Sequence, residues 1–130
     1  MDSSVVRKTI APLALAAMAA FASGNALAAG DATNGKTLFA RCAICHKVTR
    51  DGGNGLGPDL FGVAGRKAGT GAGFAYSDAM KKSGITWSED KLQAYIGDPK
   101  GTVPGNKMAF AGLSGHGQAA DVAAYLLTLK

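Results

Sequence analysis

The 130-residue sequence is poor in most of what fills a large core. Aromatics make up 7% of it, with a single Trp, and there are only four Pro. Two Cys and two His are too few for a disulfide framework. The length leaves no room for a barrel enzyme or a two-domain dehydrogenase and fits one domain. No internal repeat is present, and no apolar run spans a bilayer comfortably. Disorder fits no better, because 47% of the residues are hydrophobic. What the chain has in quantity is glycine, 19 residues, and positive charge: 14 Lys+Arg against 9 Asp+Glu give a net +5. Glycine fills no core. A chain of this composition therefore calls for something besides side chains at its centre.

The N-terminal stretch reads as a targeting segment. Arg7 and Lys8 form a basic start, residues 10–22 are apolar (IAPLALAAMAAFA), and Ala26-Leu27-Ala28 is a small-residue cleavage pattern. The expected organisation is a cleaved signal peptide over 1–28 and one domain over 29–130. Removing the signal takes away Asp2, Arg7 and Lys8 and leaves the remainder mildly basic. This predicts an exported, periplasmic protein.

Beyond residue 28 the pattern is all-α. Asp31 is placed to cap a helix running to about Cys42, with Leu38, Phe39 and Cys42 on one face. Gly35 lies on that face, where a missing side chain lets another helix come close. Nine Gly between 52 and 73 leave no period-2 alternation, so loops rather than strands are expected there. Residues 77–82 predict a short helix stopped by Gly84. Thr86-Trp87-Ser88-Glu89 reads as a capping box opening a helix that carries Leu92, Tyr95 and Ile96 and ends at Gly97 and Pro99. A last helix runs from about Gln118 to Leu129.

The chemistry lies in Cys42-Ala43-Ile44-Cys45-His46. In an exported protein, C-x-x-C-H is the signature of covalent c-type haem attachment. Each thiol adds to one vinyl group, and the adjacent His is aimed at iron. A redox C-x-x-C would sit beside a βαβ pattern, which is missing. A structural zinc needs four ligands, and His116 completes no recognised spacing with His46. A local disulfide explains neither the His nor the small core. For a sixth iron ligand the chain offers Met80, Met108 and His116. Met80 lies in a helical stretch, where methionine is usually packing. Met108 lies in a turn-rich loop that suits presentation of sulfur to a haem face, and spacing favours it over the other two. Met with His is the pair that raises the potential of an electron-transfer haem.

In order along one chain stand these motifs together with Gly57-Pro58-Asp59-Leu60, Gly65-Arg66-Lys67, Tyr76-Ser77-Asp78-Ala79, Gly84-Ile85-Thr86-Trp87, the run 104–112 (PGNKMAFAG) and Ala124-Tyr125-Leu126. Over essentially all of 30–130 the sequence resembles a class I cytochrome c of the mitochondrial and bacterial cytochrome c2 type. The resemblance implies a small fold of about four to five helices and long Gly-rich loops around one covalent haem c. It implies Cys42 and Cys45 as attachment points and His46 and Met108 as iron ligands. It further implies the Pro58 carbonyl as acceptor for the other His46 ring N–H, Arg66, Tyr76 and Trp87 around the haem propionates, and Tyr95 as donor to the Met108 sulfur. Gly35 and Phe39 are expected to meet Val122 and Tyr125 where the first and last helices cross. Met80 stands where the family often has Asn, and Asn106 where it often has Thr or Ser.

The implied activity is single-electron shuttling by Fe(III)/Fe(II) cycling, without enzymatic turnover. The implied donor is a membrane quinol-oxidising cytochrome complex, and the acceptor a terminal oxidase, reaction centre or reductase. A monomer docking transiently through Arg41, Lys47, Lys100 and Lys107 is expected, with no nucleic-acid partner. The alternative is a gas-binding or peroxidase-like haem protein with an open or weakly held sixth ligand.

Overall fold

A computed structural model describes residues 30–130. The expected signal segment, 1–28, lies outside the described residues. Five α-helices follow in order: α1 (Ala32–Leu38), α2 (Asp78–Lys82), α3 (Glu89–Gly97), α4 (Pro99–Thr102) and α5 (Gln118–Leu127). A 3-10 turn, Phe39–Arg41, continues α1. Among the described residues the only β feature is an isolated antiparallel bridge between Lys67 and Thr86. The all-α expectation holds.

The frame is the crossing of α1 and α5. Asp31 caps α1, its Oδ1 accepting from the amides of Thr33 at 2.9 Å and Asn34 at 3.1 Å. A Cβ on Gly35 would stand 1.9 Å from the Asp121 carbonyl oxygen and 3.0 Å from Tyr125 Cβ. The glycine is there because α5 occupies the space a side chain would need. One helical turn on, the Phe39 and Tyr125 rings meet with centroids 5.4 Å apart. Asp121 ties the crossing from outside, accepting from the Asp31 amide at 2.7 Å and from Asn34 Nδ2 at 2.6 Å. Those two bonds, the Asn34 one first, hold its carboxyl below the usual carboxylate value.

The core beneath is small. Phe39, Val63, Met80, Trp87, Leu92, Val103, Leu113, Val122 and Leu126 are its larger buried members, with Ala68, Ala120 and Ala123. Met80 thus packs inside, as expected for a helical methionine.

Three boundaries differ from the sequence expectation. The cap of α3 is Ser88, whose Oγ accepts from the Lys91 amide at 3.3 Å, and not Thr86. The Trp87 N–H donates to the Arg66 carbonyl and its own carbonyl accepts from Gly65, so both backbone groups are committed to an extended pairing. A helix can start only past it. After Gly97 the chain does not simply stop. Asp98 caps the extra short helix α4, with Pro99 at its first position, where no amide is required. At the C-terminus, α5 ends at Leu127, and Leu129 turns out to accept from the Gly62 amide at 2.8 Å.

Candidate functional site

The attachment motif follows the 3-10 turn directly. The amides of Cys45 and His46 both donate to the Cys42 carbonyl, at 3.0 and 2.9 Å, so residues 42–46 make one tight turn. Both thiols are free and half-buried. Burial pushes the Cys42 thiol up, against a smaller opposite pull from Arg41. The group is therefore a neutral thiol at neutral pH.

His46 is fixed by two contacts from one loop. Its Nδ1 lies 2.7 Å from the Pro58 carbonyl oxygen. A carbonyl only accepts, so Nδ1 carries the proton, and in the neutral ring the lone pair is then on Nε2. That is the tautomer a metal-binding imidazole needs. The residue before Pro58 sets the fit. A Cβ on Gly57 would stand 2.4 Å from His46 Cε1 and under 3.0 Å from both ring nitrogens. Gly57 and Gly55 in turn sit against the Cys45 carbonyl: the Gly57 amide donates to it at 2.9 Å, and a Cβ on Gly55 would come within 2.7 Å.

Met108 is held by contacts of its own. The Tyr95 hydroxyl on α3 lies 4.0 Å from its Sδ. Burial raises the Tyr95 phenol to about 12, so it stays a donor across the physiological range. The Met108 amide donates to Asn106 Oδ1 at 2.9 Å. Asn106 Nδ2 donates to the carbonyls of Pro99 and Val103, each at 2.9 Å. One side chain thereby couples the Met108 loop to α4. Lys107 adds a second tether, donating from Nζ to the Ala75 carbonyl at 2.5 Å.

Arg66, Tyr76 and Trp87 join these two halves. Arg66 Nη2 donates to the Asp59 carbonyl, next to Pro58, at 3.1 Å. Its backbone pairs with Trp87, whose ring lies 5.1 Å from the Tyr95 ring. Gly71 donates its amide to the Tyr76 hydroxyl at 3.1 Å, and a Cβ there would also approach Arg66 Nη2. The Arg66 guanidinium and the Tyr76 hydroxyl thus lie in one neighbourhood, and Trp87 joins it through its backbone. Arg66 also lines a cleft of about 230 Å³ with Arg50, Asn54, Asp59 and Phe61. His116 stands apart, exposed in the loop before α5. No direct hydrogen bond or ring contact joins His46 to Met108.

Three functional contributors escaped the sequence reading. Gly57 was legible as part of a motif but not as the floor under His46. Asn106 was legible only as a departure, whereas its side chain is fully engaged. Asn54 bridges two loops, donating to Ala72 and accepting from Asp59. Their common signal is an amide or glycine in a turn-rich stretch, which marks many ordinary turns as well.

The donor set fits a covalent haem on structural grounds: two unpaired thiols and an imidazole with a free Nε2 on one turn, and a thioether under a hydroxyl donor. No cluster of three or more His, Cys, Asp or Glu side chains suited to another metal occurs among the described residues. Such a helical fold with a C-x-x-C-H turn defines a c-type haem protein. The Cytochrome c family model matches residues 32–130, and the chain belongs to that family. It is 49% identical to cytochrome c2 of Rhodomicrobium vannielii over 106 residues, covering 82% of this chain and 85% of that one. It is 56% identical to cytochrome c2 iso-2 of Magnetospirillum fulvum over 91 residues, covering 70% and 94%. Among solved structures, cytochrome cH from Methylobacterium extorquens superposes with a TM-score of 0.71 at 49% identity, covering 76% of this chain and 99% of that one. The cofactor is one covalent haem c, and the protein is an electron-transfer haem protein.

Proposed function

We propose that the protein is a periplasmic one-electron carrier, delivered by cleavage of the 1–28 signal, with His46 and Met108 as iron ligands and no enzymatic turnover of its own. One observation carries the ligand assignment: His46 is locked as the Nδ1–H tautomer on Pro58, while Tyr95 directs a hydroxyl toward Met108 Sδ. When bound, the haem supplies a one-electron Fe(III)/Fe(II) couple. Around it the residues of this chain orient and insulate. Pro58 fixes the imidazole plane and strengthens it as a donor. Tyr95 at the sulfur and Asn106 at the backbone amide would hold Met108 in one place in both oxidation states, so that little would rearrange when an electron moves. Arg66, Tyr76 and Trp87 offer hydrogen bonds to propionates that would be costly to bury unpaired. The donor is a membrane quinol-oxidising complex, and the acceptor a terminal oxidase, reaction centre or reductase. No helix among the described residues is long and apolar enough to cross a membrane.

The test is spectroscopic. The ferric holoprotein is expected to be low-spin with the weak red band of iron–thioether bonding. Met108→Ala is expected to remove the band, lower the potential and admit cyanide or carbon monoxide. Met80→Ala and His116→Ala are expected to keep the band. Survival of band and potential in Met108→Ala would refute the ligand assignment. A parent protein that lacks the band and binds carbon monoxide readily would be an open-site haem protein instead.

A further inference from the structure

The loop over 50–61 and the loop over 66–72 face each other across the cleft of about 230 Å³. Asn54 fixes its walls: Nδ2 donates to the Ala72 carbonyl and Oδ1 accepts from the Asp59 amide, both at 2.9 Å. Two guanidinium groups line the space, those of Arg50 and Arg66. Neither is paired with a carboxylate. Among the described residues the one ion pair joins Lys81 to Asp78.

Each guanidinium is positioned by a contact that leaves donors over. Arg50 lies over the Phe61 ring, its Cζ 5.1 Å from the centroid. Stacking uses the flat face of the group and leaves its N–H edges open. Arg66 commits Nη2 to the Asp59 carbonyl at 3.1 Å and keeps the rest of its fork. Asp59 brings a carboxylate to the lining, but that group is engaged elsewhere. Its Oδ1 accepts from the Phe61 amide at 2.8 Å, and its Oδ2 is the oxygen a Cβ on Gly52 would meet at 3.4 Å. Gly71 keeps the space beside Arg66 open, since a Cβ there would stand 3.5 Å from Nη2. Two cations against one engaged carboxylate leave the cleft positive.

We propose that this cleft is an anion site for a phosphate group, held between the Arg50 and Arg66 guanidinium groups. Forked donors match tetrahedral oxyanions, on which two N–H bonds can run side by side. Phe61 is the one large apolar side chain of the lining, enough to wall the site and too little to seat acyl chains. The source is therefore a soluble phosphate or small phosphate monoester rather than a lipid headgroup. Arg66 is shared with the propionate role proposed above, whereas Arg50 belongs to this site alone. One consequence rests on the electron-carrier reading. Oxidation adds one positive charge to the haem, so an anion beside Arg66 binds the ferric protein more tightly than the ferrous. By linkage, bound phosphate lowers the potential by the same free energy. An affinity ratio of about two- to fivefold corresponds to a fall of about 18–41 mV, at 59 mV per tenfold for one electron.

The experiment titrates ferric holoprotein with inorganic phosphate in place of chloride at constant ionic strength, so that general screening stays fixed. Calorimetry is expected to show saturable binding to one site, and redox titration a potential that falls and then levels with phosphate. Arg50→Gln is expected to weaken phosphate binding about five- to tenfold and to remove most of the potential shift. Its spectrum, thermal melt and potential in chloride alone should match the parent. Lys36→Gln, which removes the same charge from the exposed face of α1, is expected to bind phosphate as the parent does. Unchanged affinity in Arg50→Gln would overturn the proposal. So would an equal loss in Lys36→Gln, which would reduce the effect to net charge, or a response that never saturates. Arg50-dependent binding to phosphatidylglycerol vesicles without any response to inorganic phosphate would overturn the choice of a soluble ligand. Failure of the electron-carrier reading is separate: the redox titration would then be irreversible, while calorimetry on the ferric protein would still decide the site.

Discussion

At the scale of single residues, the least conspicuous side chains carry the most geometry. His46 was readable from its motif, but its orientation depends on a residue with no side chain at all. Adding one methyl at Gly57 places carbon 2.4 Å from the imidazole, inside any tolerable contact. The ring or the 55–57 loop has to yield, and the 2.7 Å bond to Pro58 yields with it. Gly57→Ala is therefore expected to leave haem attached through Cys42 and Cys45 while lowering the potential and broadening the iron–ligand spectrum. Overpacking of this kind costs roughly 1–3 kcal/mol, so the variant should still fold. Redox titration beside a thermal melt checks this; a parental potential would show that Gly57 has no hold on the ring. Asn106 teaches the same lesson in reverse. The sequence shows it only as a departure from Thr or Ser, while in the fold it joins Pro99, Val103 and Met108 through three bonds of 2.9 Å. An amide's capacity to donate twice and accept once is chemistry the letter N conveys, but the partners that satisfy it are set by α4, which the sequence reading did not contain.

At the scale of elements, helices with strong local signals were legible and their joints were not. Asp31, Ser77 and Gly84 mark their boundaries by capping and by positive φ, which are local properties. The start of α3 is not local. Thr86 has cap chemistry but is committed to the bridge with Lys67, so the helix waits for Ser88. The α1–α5 crossing lies between these cases: Gly35 announced a close approach, and the structure supplies the α5 backbone at 1.9 Å from where a Cβ would stand. The crossing also carries a pH dependence. Asp121 is held below its ordinary value of 3.8 by Asn34 and by the Asp31 amide. A depressed carboxylate stabilises the fold above its unfolded value, and that stability is lost as pH falls through the native one. Acid unfolding of the holoprotein below about pH 4 should thus include an Asp121 contribution. Asp121→Asn is expected to lower stability at neutral pH and flatten the acid limb. Because the group is exposed, the effect is screened and should shrink in high salt. Parallel acid limbs for parent and variant would show that the crossing does not depend on this charge.

At the scale of the whole molecule, composition and structure meet in the small core. Its buried members include three alanines and only two aromatics, Phe39 and Trp87. A chain of about 100 residues buries only some two-thirds of its unfolded surface and is marginal even with a well-filled interior. Here long glycine-bearing loops, with nine glycines at positive φ among the described residues, add conformational entropy that folding must overcome. The family's covalent haem answers both deficits. It brings apolar surface that the side chains do not, and with His46 and Met108 as the proposed iron ligands it would link the 42–46 turn to the loop beyond α4. Folding and haem attachment are therefore expected to be one event. The Cys42→Ala/Cys45→Ala variant, or the chain produced without haem, is expected to lose most helical signal in far-ultraviolet dichroism and to show no cooperative thermal transition. If a remnant persists, it should be the α1–α5 crossing, which has its own glycine contact, ring pair and Asp121 bonds. The loop around Met108 has no helix–helix crossing of its own: its side-chain anchors are the Asn106 bonds to Pro99 and Val103 and the Lys107 bond to Ala75. Hydrogen exchange would separate the two regions, protecting amides of α1 and α5 above those near residues 103–112. A haem-free chain that melts cooperatively with full helix content would show that its sparse core suffices alone.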